Sequence, residues 1–180
     1  MVKSVVFQNE SGLIIRPFRK NDAKACEQIF QANLAKNYSD LTHEQRTAMQ
    51  SVNNAQNFIE FAERKNDRLL VMEKNGKVVG YVHFAREGKD IRVKRFQTTH
   101  DLISWGITLT KVILPIIERY RINWGCKTIY GEMGSHLEKH IPALKRLGFE
   151  VMQKKEKEVG GRKIEFIPVK WKAAKKIKPK

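Results

Sequence analysis

Apolar positions alternate with polar ones in several short runs and recur at helical spacing in others. Leu13-Ile14-Ile15-Arg16-Pro17-Phe18 reads as a short strand closed by polar residues. Asn21-Asp22 caps a helix whose face carries Ala25, Ile29, Phe30 and Leu34. Asn37 to Leu41 reads as a loop. Thr42 with Gln45 three residues on fits a capping box, opening a polar helix with His43, Glu44 and Arg46. Asn53-Asn54 breaks that helix, and Phe58, Phe61 and Ala62 mark a third piece. Few large apolar residues lie in this middle region, so it is expected to pack loosely at an edge, bordering an acceptor cleft in an enzyme.

The pattern then turns to strands. Arg68 to Glu73 and Lys77 to Ala85 flank Asn75-Gly76, the strongest hairpin dipeptide of the chain. Glu87 to Asp90 turns into a third consecutive strand, Arg92 to Thr98, anchored by Val93 and Phe96. Gly106 stands where a helical period begins, with Ile107, Val112, Ile113, Ile116, Ile117 and Tyr120. Pro115 should kink this helix, and Asn123-Trp124-Gly125 ends it. Thr128 to Met133 is a further strand, reached by a crossover helix and therefore expected parallel to the one before it. Gly134-Ser135 opens a segment where His136, Leu137, His140, Ile141, Leu144 and Leu147 share helical spacing despite Pro142, up to Gly148. Phe149 to Met152, a Gly160-Gly161 turn and Ile164 to Val169 close the sheet, with Trp171 at its end. The chain reads as one domain over residues 1–171, followed by a basic tail over 172–180.

Lys89 to Lys111 is the segment with chemistry in it. A strand that ends in a glycine turn and opens a helix offers unpartnered backbone N–H groups and the positive end of a dipole. Its natural ligand is a phosphate or pyrophosphate near Ser104–Thr110, although an ordinary strand–helix connection has the same outline.

Composition narrows the class. The hydrophobic fraction of 41% supports a core, and no run of eighteen apolar residues spans a membrane. The apolar run at the amino end is too short for a signal peptide, which points to the cytoplasm. Cys26 and Cys126 stand far apart without metal or redox spacing and read as buried thiols. The net charge is +16, and half of the excess lies in Lys154–Lys180, where eleven Lys/Arg face three Asp/Glu. Such a charge attracts nucleic acid, an anionic membrane surface or an acidic cofactor, and it also serves solubility. Arg92, Lys94 and Arg95, with Lys145 and Arg146, could guide phosphates or simply form a solvated basic face.

Three phrases, LIIRPFRKNDA, NGKVVGYVHF and HIPALKRLGFEV, stand in an order that resembles the GNAT (GCN5-related N-acetyltransferase) fold over Leu13 to Trp171. The resemblance implies an α/β (α+β) fold: a mixed, mostly antiparallel sheet of about six or seven strands, helices on both faces and one parallel pair. That pair would join the strand at Arg92–Thr98 to the strand at Thr128–Met133. It implies acetyl-CoA as cofactor, held by Phe96, Gln97 and Thr98 and by Ser104, Trp105, Gly106, Ile107 and Thr108. The family's Arg/Gln-x-x-Gly-x-Gly/Ala signature is altered here to Ile103-Ser104-Trp105-Gly106-Ile107-Thr108. Leu144 stands where many members place a tyrosine that protonates the departing thiolate. FQTTHDLISWG together with HIPALKRLGF resembles a divergent tailed-phage branch that includes the GNAT-like internal virion proteins of short-tailed phages.

Amine acetylation needs a base, and the candidates are Glu132 at a strand end and His100 after the central strand. The same residues read otherwise as a solvated charge and, with Asp101, a turn cap. His83, on the strand after the hairpin, and Tyr130 are further titratable groups. His136 and His140 have i,i+4 spacing but no evident third ligand, so no metal site is expected. The leading expectation is a transfer of acetyl from acetyl-CoA to an amine on a tRNA, a DNA base or a protein lysine. The alternative is a catalytically degenerate GNAT-like phage protein that binds nucleic acid or serves in the virion, located in the host cytoplasm or the particle.

Overall fold

The computed structural model describes residues 7–8, 12–38, 41–99, 108–134, 138, 141–146, 148–159 and 162–171. In chain order the strands are β1 (Phe7–Gln8), β2 (Leu13–Pro17), β3 (Asp67–Lys74), β4 (Lys77–Glu87), β5 (Asp90–Thr98), β6 (Thr128–Gly134), β7 (Phe149–Val151), β8 (Lys155–Val159) and β9 (Arg162–Trp171). The helices are α1 (Ala23–Asn37), α2 (His43–Ser51), α3 (Ala55–Glu63), α4 (Leu114–Asn123) and α5 (Ile141–Arg146). A 3-10 turn at Lys20–Asp22 precedes α1, and a π-wound turn at Thr108–Ile113 precedes α4. Strand order in the sheet is β1-β2-β3-β4-β5-β6-β9-β7, with β8 on β9. The fold is thus the expected mixed α/β one, mostly antiparallel, with β5 and β6 parallel. Two short strands, β1 and β8, add to those the pattern marks.

The described parts fall into two compact units that interleave along the chain. The first takes Met1–Ala85, Lys94–Ile103 and Glu158–Lys163; the second takes Arg86–Val93, Ser104–Lys157 and Ile164–Lys180.

In the first unit the β3–β4 hairpin turns at Asn75 and Gly76, whose φ angles of 50° and 73° are both positive, as a type I′ turn requires. The register slips between Met72 and Glu73, leaving Val79 as an extra residue in β4. The bulge reverses the alternation, so that Val78 and Tyr81 pack against one cluster. That cluster joins Ala23, Cys26 and Ile29 of α1, Phe58 and Phe61 of α3, and Leu69, Val71 and Tyr81 of the sheet. The expectation of a loosely packed middle region is therefore corrected for α3. Its two phenylalanines, three residues apart, share one face and are buried, Phe58 edge-on to Tyr81 with centroids 5.0 Å apart. Two large aromatics suffice to anchor a nine-residue helix, since each buried ring contributes about 2–3 kcal/mol. The helix α2 stays mostly polar, but its start is fixed as read: Thr42 accepts from the Gln45 N–H at 3.2 Å, and the Gln45 side chain accepts from the Thr42 N–H at 2.9 Å.

In the second unit Val112, Ile113, Ile116, Ile117 and Tyr120 are all buried, as their spacing demands. The kink expected at Pro115 takes a different form. The chain is wound as a π turn through Ile113 and switches to α-helix at Leu114, so Pro115 lies in the first turn of α4, where its missing N–H costs nothing. The helix α4 ends in a Schellman motif. Gly125, at φ 64°, donates to the Ile122 carbonyl, and Cys126 donates to that of Arg121. Of the closing helix only Ile141–Arg146 and Glu138 are described; His136, His140 and Leu147 lie outside the described residues. Both cysteines are buried free thiols, as expected.

Candidate cofactor site

The parallel pairing of β5 with β6 runs from Asp90↔Thr128 to Val93↔Gly131 and goes no further. A Cβ on Gly131 would meet the Val93 carbonyl oxygen at 3.2 Å, so the last pair of the ladder is closed tightly by a glycine. β5 then continues to Thr98, and β6 to Gly134.

Phe96, Gln97 and Thr98 are half-buried at the carboxyl end of β5, in the first unit. Two features hold Gln97 and Thr98. Gly80 lets β4 approach closely, since a Cβ there would stand 2.7 Å from the Gln97 carbonyl oxygen. The buried Asn33 of α1 donates from Nδ2 to the Gln97 Oε1 at 2.6 Å and to the Thr98 carbonyl at 3.1 Å. The hydrophobic pattern alone does not single out Asn33. Its signal is a polar residue between Phe30 and Leu34 on the apolar stripe of α1, where a buried amide must find partners.

Thr108, in the second unit, opens the helical segment. It is fully buried, and its Oγ1 has no hydrogen-bond partner among the described residues. An orphaned buried hydroxyl at a helix start is the polar atom a phosphate group would satisfy, so the residue present fits a CoA-type pyrophosphate. Ser104, Trp105, Gly106 and Ile107 lie outside the described residues, as does His100.

Glu132 follows directly after the last parallel pair. Its Oε2 is bonded to Lys157 Nζ of β8 and lies 3.6 Å from Arg92 of β5. Arg92 is also 3.7 Å from Glu87, which accepts a 2.7 Å hydrogen bond from Tyr130 Oη. The side chains form an alternating row, Lys157, Glu132, Arg92, Glu87, in which Glu132 stays exposed but is paired with a cation on either side. Burial first, and then the bond to Glu87, push the Tyr130 phenol up to about 12. Nothing in the charge-rich KEKE run singles out Lys157 in the sequence.

Arg95 and Lys94 do not form an open basic face. Arg95 donates to Asn53 Oδ1 at 2.5 Å and to His83 Nδ1 at 3.0 Å, while Lys94 Nζ is 3.5 Å from Asp67. His83, wholly buried, also bonds Asp67 through Nε2 at 2.8 Å and stacks on Phe61. Because Arg95 can only donate, Nδ1 is the acceptor and the proton sits on Nε2. Burial, the largest influence, lowers the His83 pKa to about 4, so the ring is neutral. Lys145 and Arg146 are exposed on α5. Leu144 is buried on that helix, and an alkyl side chain there offers no proton.

No protein-family model matches the chain, and no curated protein matches it in sequence. Solved structures do resemble it. PaiA N-acetyltransferase from Thermoplasma acidophilum, in complex with coenzyme A, aligns with a TM-score of 0.71 at 11% identity, covering 89% of this chain and 99% of that one. A GCN5-related N-acetyltransferase from Rhodopseudomonas palustris aligns at 0.67 and 17% identity over 93% and 98% of the two chains. Ribosomal-protein-S5-alanine acetyltransferase from Vibrio fischeri aligns at 0.67 and 18% identity over 97% and 100%. The chain has the fold of the GNAT N-acetyltransferases.

Proposed function

We propose that the protein is a GNAT-type N-acyltransferase that moves acetyl from acetyl-CoA to an amine. The observation that carries this reading is the buried Thr108 hydroxyl, unpartnered among the described residues, in the helical segment that follows β5. Solved structures of the same fold include one in complex with coenzyme A, which supports the choice of cofactor.

When bound, acetyl-CoA supplies an acetyl group activated as a thioester. Thr108, with Ser104, Trp105, Gly106 and Ile107 before it, would hold the pyrophosphate through the hydroxyl and backbone N–H groups. Phe96, Gln97 and Thr98 would hold the acyl arm. The clamp of Asn33 on Gln97 and Thr98 fixes that strand end before any ligand arrives. Glu132 or His100 would take the proton from the attacking ammonium. For Glu132 this requires Lys157 to release its oxygen, and a cationic acceptor can take the place of Lys157 at no net change of charge. The acceptor is proposed to be anionic or nucleic-acid-linked, or a protein lysine, on the strength of the +16 net charge.

A thiol-release assay with acetyl-CoA and a panel of acceptors (a lysine peptide, an alanine-terminated peptide, tRNA and DNA) tests this directly. Glu132→Gln should lower kcat about a hundredfold with little change in cofactor affinity. Wild-type turnover in that variant would remove Glu132 from the chemistry.

Leu144 favours a second reading, in which the fold is retained without catalysis and the basic chain binds nucleic acid or serves in a virion. That reading predicts no thiol release with any acceptor, together with nucleic-acid affinity that falls steeply with salt.

A further inference from the structure

In the first unit the Asp67 carboxylate is taken up by His83 and Lys94: it accepts from His83 and stands 3.5 Å from Lys94. Arg95 reaches that carboxylate only through the neutral His83 ring. Its other bonds go to uncharged acceptors, Asn53 Oδ1 at 2.5 Å and the Val52 carbonyl at 3.4 Å. Arg64 ends α3 and has no ion pair among the described residues; its guanidinium carbon lies 4.9 Å from the centre of the Phe61 ring. The Arg95 guanidinium carbon lies 4.3 Å from the same centre, so the two carbons are at most about 9 Å apart. The nearby carboxylates of α3 turn elsewhere, Glu60 to Gln56 and Glu63 to Lys20. The carboxyl end of α3 offsets only about half a charge.

We propose that Arg64 and Arg95 form a binding site for a phosphomonoester dianion. A guanidinium without a carboxylate partner attracts an anion, and among the described residues neither the half-buried Arg95 nor the exposed Arg64 is ion-paired. Two guanidinium groups offer forked donors that match phosphate oxygens. Both groups lie over the Phe61 ring, itself stacked on His83, before the ligand arrives. The Arg95 bond to Val52 is at the exposed surface, so an ion reaches the guanidinium without opening the core. The site lies wholly within the first unit and does not rest on the acetyl-transfer reading.

The test is a titration of the full chain with inorganic phosphate at constant ionic strength, followed by the arginine Nε–H resonances. Dimethyl phosphate and acetate serve as monoanionic arms. Saturable shifts at Arg64 and Arg95, with either monoanion about tenfold weaker, are expected. Arg64→Ala changes an exposed side chain, so it should weaken phosphate at least about fivefold and leave the thermal midpoint in place. No saturable shift at either residue would overturn the proposal. So would equal shifts with acetate, or an Arg64→Ala variant that binds phosphate like the wild type.

Discussion

His83 shows how one side chain ties burial, charge and stability together. Held between Asp67 and Arg95 and stacked on Phe61, it is neutral in the fold, with a pKa of about 4 against 6.5 ordinarily. The lowered value means that the unfolded chain binds the proton more readily. Its contribution is therefore complete above pH 6.5 and is lost as pH falls through about 4. The whole difference is worth about 3 kcal/mol. Urea unfolding should give a lower stability at pH 5 than at pH 7.5; equal values at the two would show that the ring is not held in its neutral form. Tyr81 makes the opposite case. Its hydroxyl is fully buried without a partner among the described residues; the burial raises its pKa and leaves a desolvated polar group. Tyr81→Phe should raise stability by about 1 kcal/mol in the same assay, and a loss would reveal a partner for the hydroxyl.

At the scale of elements, Gly80 governs how closely β4 and the end of β5 approach. A methyl group there would meet the Gln97 backbone oxygen at 2.7 Å, and backbone cannot swing aside as a side chain can. Gly80→Ala should cost about 2 kcal/mol or more and shift the thermal midpoint down accordingly; an unchanged midpoint would mean the strands separate freely there. The elements legible in the sequence are those with local causes. The Asn75-Gly76 turn, the Thr42–Gln45 capping box and the glycine stop at Gly125 are each set by the conformations of a few neighbouring residues. The burial of α3 was not legible, because two phenylalanines in a polar stretch gain their importance only from the sheet residues they meet, Leu69, Val71 and Tyr81. The site divides along the same line. The helical period from Thr108 onward could be read locally, while the glycine turn expected before it lies outside the described residues. The Asn33 clamp spans 64 and 65 positions of sequence, and Lys157 reaches Glu132 across 25, so neither pairing has a local signature.

For the whole molecule, fold and charge bear on the proposed acetyl transfer with unequal force. The topology is that of the GNAT acetyltransferases, and no helix among the described residues is long and apolar enough to cross a membrane. The charge of +16 bears on the partner rather than on the fold. The acetyltransferase and the degenerate readings share every element of structure and part at the cofactor, so calorimetric titration with acetyl-CoA separates them most directly. Wild-type protein should bind with a Kd below about 100 μM, and Thr108→Val, which removes the buried hydroxyl at nearly constant volume, should bind at least about threefold more weakly. Absence of binding heat at millimolar acetyl-CoA would contradict the account.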